Sequence, residues 1–344
     1  MTNESFAMSH LPVAITTNDA VTTQTTSGNM ITLMYLSGYN FYLRCALVVM
    51  GVAGTAGNAF VIYALVASKQ HKKHPLIVNQ NALDFACSFF LVVCKVVELC
   101  NIRFTGSLGY WLCMLIHSET LIAYTMYGSR INIAAITVER YLKVVHSVWS
   151  KKRLRSWMIR STMAFCWLVG TVQVSWNAAT RSVRNGVCYA VISTELLMGA
   201  MWWYIITFYG VVFAIFNFCY GRILMTIRRQ AHVMAAYSTA GPSTAPRTQQ
   251  IQTNVIKTMI LVSAFYVICH LLQAVQYIAY VCANTELVKN AYITDAARIV
   301  QFFYITTNPF IYAIKFDPVK KVLKDLILRC MPSKLAQSQA SATE

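Results

Sequence analysis

Residues Phe41–Val66 read FYLRCALVVMGVAGTAGNAFVIYALV, an apolar run broken by a single charge, Arg44. A helix rises about 1.5 Å per residue, so about 20 apolar residues cross about 30 Å of hydrocarbon, and this run is long enough. An open strand in lipid leaves its backbone amides unsatisfied, and the run lacks the alternation of a barrel strand, so it reads as a helix. Six further windows of the same kind follow: Leu76–Leu99, Trp111–Val145, Trp157–Trp176, Leu196–Ile227, Val255–Val281 and Tyr292–Phe316. The third, fifth and sixth exceed what a bilayer needs, and their surplus is expected to tilt or project beyond it.

The composition agrees with the windows. The chain is 57% hydrophobic and 12% charged, where a soluble protein carries about 25% charged residues, and its mean hydropathy is +0.49. A soluble enzyme is excluded. The net charge of +17, from 29 Lys and Arg against 12 Asp and Glu, would suggest nucleic acid in a soluble chain. Here the cations gather in alternate connections, 67–75, 146–156, 228–254 and 317–344, whereas the others hold only Arg103, Arg181, Arg184 and Lys289, with none in the first 40 residues. By the positive-inside rule the N-terminus lies outside and the C-terminus inside, the parity of seven crossings. The basic excess is then a topology and anionic-lipid signal, and no nucleic-acid partner is expected.

The expected organisation is an all-α membrane protein: an extracellular tail over 1–40, a seven-helix bundle over 41–316, and an amphipathic helix with a cytoplasmic tail over 317–344. The first 40 residues are polar with no apolar core before Ile31, so no cleavable signal peptide is expected. Asn3-Glu4-Ser5 is a glycosylation sequon,. Ala231–Thr253, with Ser238, Gly241, Pro242, Ser243 and Pro246, reads as a flexible loop,. Apolar and basic residues alternate at helical spacing from Phe316 to Lys324, as in an interfacial helix, and Cys330 at its end is a palmitoylation candidate,.

Several motifs fall in the right windows and order: Gly57-Asn58 with Val61, Leu83-Asp84, Glu139-Arg140-Tyr141, Trp167, Tyr220, and Asn308-Pro309-Phe310-Ile311-Tyr312. Together they make the chain resemble the rhodopsin-like (class A) G-protein-coupled receptors, from about Phe41 to Cys330. The resemblance implies a cell-surface receptor that carries the binding of an extracellular ligand to a heterotrimeric G protein, with arrestin as a further partner, in a multi-pass plasma-membrane protein. It implies a coupling and activation switch of Glu139, Arg140, Tyr141, Tyr220, Asn308, Pro309 and Tyr312. It implies an allosteric sodium ion in a polar cluster of Asp84, Ser129, Asn308 and Asn58. The family's disulfide would join Cys113 to Cys188, with Cys100 and Cys282 open to a second bridge. No other cofactor, no metal site and no catalytic set are expected.

Physical chemistry supports these roles. An ionisable Asp84 inside a membrane helix must face the bundle interior and find partners. Pro309 breaks the backbone ladder of the last helix and makes a hinge. At the membrane boundary Arg140 pairs with Glu139 at rest and donates to an inserted partner helix when the bundle opens. A transporter or channel, the alternative reading, calls for inverted repeats that are not seen, and a bilayer enzyme for a clustered motif that is not present.

Departures from the family pattern matter as well. Cys113 and Arg140 are about two residues further apart than the family usually shows, so the third helix is expected to start with a bulge. The amine-anchoring position is then Ile122 counted from Arg140 and Thr120 counted from Cys113; neither is a carboxylate, which disfavours an amine ligand. The Schiff-base position of an opsin holds Phe302, with no lysine between Tyr292 and Tyr312. Cys269-His270-Leu271-Leu272 stands where the family has Trp and Pro, and Val212 where a Pro is common. Arg130 is an intramembrane cation whose expected partners in kind are His270 and Glu119. The ligand pocket is expected among Lys95, Glu98, Glu119, Ile122, His270, Gln273, Tyr277, Arg298 and Gln301, whose mixed charges suit a peptide or a small polar molecule better than a lipid. Many relatives restrain the third-helix Arg with a sixth-helix carboxylate, but Leu196–Thr285 contains no Asp or Glu. Gln252 is expected near that place with Lys257 repelling Arg140, so measurable ligand-independent signalling is expected, which Gln252→Glu should reduce.

Overall fold

The computed structural model describes residues 23–26, 30–34, 41–237, 247–283 and 291–330. The seven windows appear as helical crossings. The first two are α1 (Phe41–Ala67) and α2 (Pro75–Leu99), the latter starting on a proline whose missing N–H costs nothing at that position,. The third comprises α3 (Gly106–Leu112), a π-helical turn at Cys113–His117, and α4 (Thr120–Val145), whose N-cap Glu119 is left-handed at φ 57°. The expected bulge is therefore real, and α4 runs without interruption from Thr120, through Ile122, to Val145. A short α5 (Ser147–Arg153) precedes the fourth crossing, α6 (Ser156–Ala179). The fifth joins α7 (Thr194–Tyr204) to α8 (Val212–Tyr237) through a π-helical turn at Ile205–Val211, immediately before Val212. The sixth and seventh are α9 (Arg247–Ala283) and α10 (Ala291–Lys315), and α11 (Asp317–Cys330) follows as the amphipathic helix.

Among the described residues, three helical stretches are long and apolar enough to cross a membrane by composition alone: Phe41–Ala67, Glu195–Gln230 and Asn254–Ala279. The second crossing carries Asp84, Lys95 and Glu98 and the third Arg130, Glu139 and Arg140, all buried in the bundle. The usual soluble pattern is inverted. Val49, Val52, Phe165, Leu168, Ile206, Phe213, Ile268 and Phe303 are exposed on the outside, while Asn58, Gln80, Asp84, Lys95, Asn132 and Asn308 are buried inside,. Helix α4 runs through the middle, packed against α2, α6 and α8, and α10 closes the bundle between α1 and α9. Gly57 lets α1 approach the hinge, since a Cβ there would sit 2.7 Å from Cγ of Pro309.

One sequence reading needs correcting. The loop expected over Ala231–Thr253 is helical at both ends, because α8 continues to Tyr237 and α9 begins at Arg247; uninterrupted backbone hydrogen bonding carries both helices past the hydrophobic span. Within the polar tail, β1 (Thr23–Thr26) and β2 (Met30–Met34) join β3 (Arg181–Arg184) and β4 (Val187–Ser193) in an antiparallel sheet of order β1-β2-β4-β3. Thr32 pairs with Val191 and Val183 with Cys188, and the β-branched Thr32, Val183 and Val191 favour the pleat. The turn between β3 and β4 is made by Asn185 and Gly186, both at positive φ,. The glycosylation candidate Asn3 lies outside the described residues, as does the side chain of Cys330, the last residue of α11.

Candidate functional site

At one end of the bundle Cys113 and Cys188 form a disulfide with Cα atoms 5.5 Å apart. It ties β4 to the π turn that opens the third crossing, and Phe104 packs against it. Cys100 and Cys282 are both free and exposed, so the second bridge does not form.

Three of the expected pocket residues meet near this end. The ammonium of Lys95, fully buried, lies 2.8 Å from Oε1 of Glu98 and 2.7 Å from Oε1 of Glu119. Arg44 approaches Glu98 at 3.9 Å, and Arg298 acts electrostatically on Glu119. The left-handed turn at Glu119 carries its carboxylate to Lys95, which corrects the expectation that it would face Arg130. Cys94, Glu98 and Glu119 also have a spacing a metal ion could use, with ligand atoms within 4.8 Å of one another. Lys95 already binds both carboxylates there.

Deeper in the bundle, a second group gathers around Arg130. Its guanidinium carbon lies 4.9 Å from the ring centre of Tyr204 and 5.3 Å from that of Tyr127, within cation–π range. Tyr204 donates to Gln273 at 2.8 Å, and Gln273 donates to Tyr277 at 2.9 Å. His270 stacks on Tyr266 at 4.3 Å, and its backbone carbonyl accepts from Tyr209. His270, Gln273 and Tyr277 therefore belong to the aromatic box around Arg130, apart from the Lys95 cluster. Ile122 and Gln301 are buried.

Next along α4 comes an amide network. Asp84 accepts from Ser129 at 2.7 Å, from Asn308 at 3.0 Å and from Gln80 at 3.1 and 3.2 Å. Gln80 accepts from Asn132 at 2.9 Å, Asn132 accepts from Asn79 at 2.9 Å, and Asn79 accepts from Trp167 at 3.0 Å. Asn58 donates to the carbonyls of Gly54 and Ile305, tying α1 to α10. One chain of hydrogen bonds thus joins crossings two, three, four and seven. The Oδ1 atoms of Asn58 and Asn308 are buried with no hydrogen-bond partner among the described residues. Carboxylate, hydroxyl and amide oxygens such as those of Asp84, Ser129 and Asn308 are of the kind that suits a hard cation. Gln80 was missed from sequence, although the polar run Asn79-Gln80-Asn81 inside an apolar helix marked it. Its amide is the competitor of any such ion.

At the opposite end Arg140 pairs with Glu139 at 3.2 Å, Glu139 accepts from Lys143 at 2.6 Å, and Arg140 reaches His74 at 2.9 Å. Tyr220 lies 2.7 Å from Ser263 and 3.0 Å from Thr137, pinning α8 to α9 and α4. Tyr141 contacts His146 at 3.1 Å, and Tyr312 is buried against Phe316. Arg140 is not among the residues that share a groove with Lys257. That groove is formed with Lys315, Asn254, Thr258 and Leu261, and the side chain of Gln252 lies outside the described residues.

Residues 57–312 match the 7 transmembrane receptor (rhodopsin family). The chain is 23% identical to human (Homo sapiens) free fatty acid receptor 3 over 57% of its length and 59% of that receptor's. It is 25% identical to mouse (Mus musculus) C-C chemokine receptor type 8 over 85% of its length and 80% of that receptor's. It is 24% identical to melanopsin-A of Gadus morhua over 89% of its length and 56% of that protein's.

Proposed function

The chain belongs to the 7 transmembrane receptor (rhodopsin family), and on that premise we propose that it is a cell-surface receptor that converts binding of an extracellular ligand into nucleotide exchange on a heterotrimeric G protein. The observation that carries the reading is Arg140, held at the end of α4 by Glu139 and His74 and flanked by the Tyr220 contacts that join α8 and α9. A ligand that binds the open arrangement better than the closed one shifts their populations by its differential affinity. As α9 leaves α8, the Tyr220 bonds part, Arg140 exchanges its partners for carbonyls of the G-protein helix, and the backbone at Pro309 bends.

In this reading the disulfide end faces outward and the Arg140 end faces the cytoplasm, where the basic α11 lies on anionic lipid and arrestin competes for the opened face. Asn3 is the glycosylation site and Cys330 a lipid attachment site. Sodium held by Asp84, Ser129, Asn308 and Asn58 favours the closed arrangement. The relatives are named for fatty acids, chemokines and light-sensing pigments. The light-sensing name does not transfer, because α10 has no lysine between Tyr292 and Tyr312. The buried charges of both signs at Lys95, Glu98, Glu119 and Arg298 fit a peptide or a small polar ligand. The test is a second-messenger assay in cells expressing the receptor, screened with peptides and small polar compounds beside an Arg140→Ala control. A response present in the wild type and absent from the control is expected; responses equal in both would reject the reading.

A further inference from the structure

His74 belongs to no family motif. It lies between the turn at Gln70–Lys72 and Pro75, the first residue of α2. Its Nδ1 is 2.9 Å from Nη2 of Arg140. A guanidinium stays protonated and only donates, so Nδ1 must hold a lone pair and the imidazole must be neutral, with its proton on Nε2. The ring also packs edge-on against Phe316 at 5.6 Å. One side chain thereby bridges the start of α2, the end of α4 and the turn between α10 and α11.

The groups facing His74 are few. From α4 come Arg140, Lys143 and, behind them, Glu139; from its own turn comes Lys73; from the α10–α11 turn come the Phe316 ring and, beyond it, Tyr312. Glu139 is already engaged by Arg140 and Lys143. Burial first, then the charges of Arg140, Lys143 and Lys73, lower the imidazole pKa to about 3.

We propose that His74 is a positioning residue for the Arg140 switch: its neutral Nδ1 retains Arg140 in the closed arrangement, in place of the carboxylate that α9 lacks, and its protonation after release favours the open one. The proposal rests on the G-protein reading above. The sign follows from linkage. In the closed form the imidazole stays neutral down to about pH 3. Once Arg140 leaves, it titrates near its ordinary value of about 6.5. The open form therefore binds a proton that the closed form rejects, and cytoplasmic acidification from about pH 7.2 to about 6.0 raises the weight of the open form about three- to four-fold.

The experiment uses the full-length receptor in lipid nanodiscs without added ligand. Two readouts are taken at both pH values: nucleotide exchange on a panel of purified G-protein heterotrimers, and hydrogen–deuterium exchange over Val255–Met259 of α9. His74→Leu removes the acceptor and should raise basal nucleotide exchange about five-fold, the equilibrium weight of one hydrogen bond, while abolishing the pH response. His74→Gln keeps an oxygen that accepts from Arg140 but does not titrate, so it should restore most of the restraint and stay flat with pH. Wild type normalised to His74→Gln should show the three- to four-fold rise. Equal basal exchange and equal deuteration in wild type and His74→Leu would overturn the proposal, as would the same pH response in wild type and His74→Gln. If wild type exchanges nucleotide no faster than Arg140→Ala, the ligand screen decides the G-protein reading, and deuteration of α9 alone decides the role of His74: equal deuteration in wild type and His74→Leu overturns it.

Discussion

Helix α4 buries two arginines ten residues apart in the sequence, Arg130 and Arg140, and solves the same problem twice in different ways. Around Arg130 the rings of Tyr127 and Tyr204 lie within cation–π range, and Tyr266 and Tyr209 act on it electrostatically. Around Arg140 the partners are a carboxylate and an imidazole nitrogen near the helix end. Ring faces stabilise a cation without a strict direction, and moving them disturbs a packed core. Hydrogen-bond partners are directional and can be exchanged for others at little net cost. The first arrangement suits a fixed strut, the second a switch. The amide network of Asp84, with Ser129 and Asn132 as its members on α4, lies between them along that helix.

The largest expected effect separates the two arginines by phenotype. Arg140→Ala should abolish nucleotide exchange at undiminished surface expression, whereas Arg130→Ala, which opens a cavity among large rings, should cost about 2–4 kcal/mol of stability and reduce folded receptor. Equal loss of expression in both would dissolve the distinction. A volume-conserving Arg130→Met should recover most of that stability, because an apolar replacement of a buried ion is often tolerated.

Tyr204→Leu sharpens the picture of the strut. It should destabilise the receptor by about 2–3 kcal/mol through lost ring packing and the lost bond to Gln273. Combined with Arg130→Met in a double-mutant cycle, it should show a coupling of about 1–2 kcal/mol in thermal denaturation. A coupling of zero would mean that the ring does not hold the cation.

A smaller effect is expected from weakening the switch. Glu139→Gln removes an ion pair of about 1 kcal/mol and should raise basal exchange about five-fold. Smaller still, by a few-fold, should be the response to sodium: replacing potassium by sodium should lower basal exchange in the wild type, Asp84→Asn should erase that response, and Gln80→Ala, by freeing the carboxylate, should enlarge it. An unchanged sodium response in Asp84→Asn would remove the ion from this cluster.

Much of this was readable from the chain because lipid imposes strong rules. A crossing needs a fixed length of apolar helix, so seven windows were visible despite Asp84, Lys95 and Arg130. The bulge before α4 was visible as surplus spacing between Cys113 and Arg140. Contacts between helices distant in sequence were not. Tyr127 sits one turn before Arg130 and belongs to a local pattern, but nothing local points to Tyr204 on the fifth crossing. Glu119 was offered to Arg130 by kind alone; the left-handed turn that precedes α4 and the ion pair with Lys95 are not legible in the residues. The missing acid on α9 was readable as an absence, but the contact of His74 with Arg140 was not, because it joins the start of α2 to α4 across 66 residues of sequence.

The account depends on Arg140 being both the restrained group and the group that acts once released. The direct measurement is basal nucleotide exchange by Glu139→Gln, Arg140→Ala and the double variant, each purified and reconstituted at equal receptor concentration. The account predicts that Glu139→Gln exceeds wild type about five-fold and that the double variant falls to the level of Arg140→Ala. A double variant as active as Glu139→Gln would contradict it, because opening of the bundle would then drive exchange without the arginine.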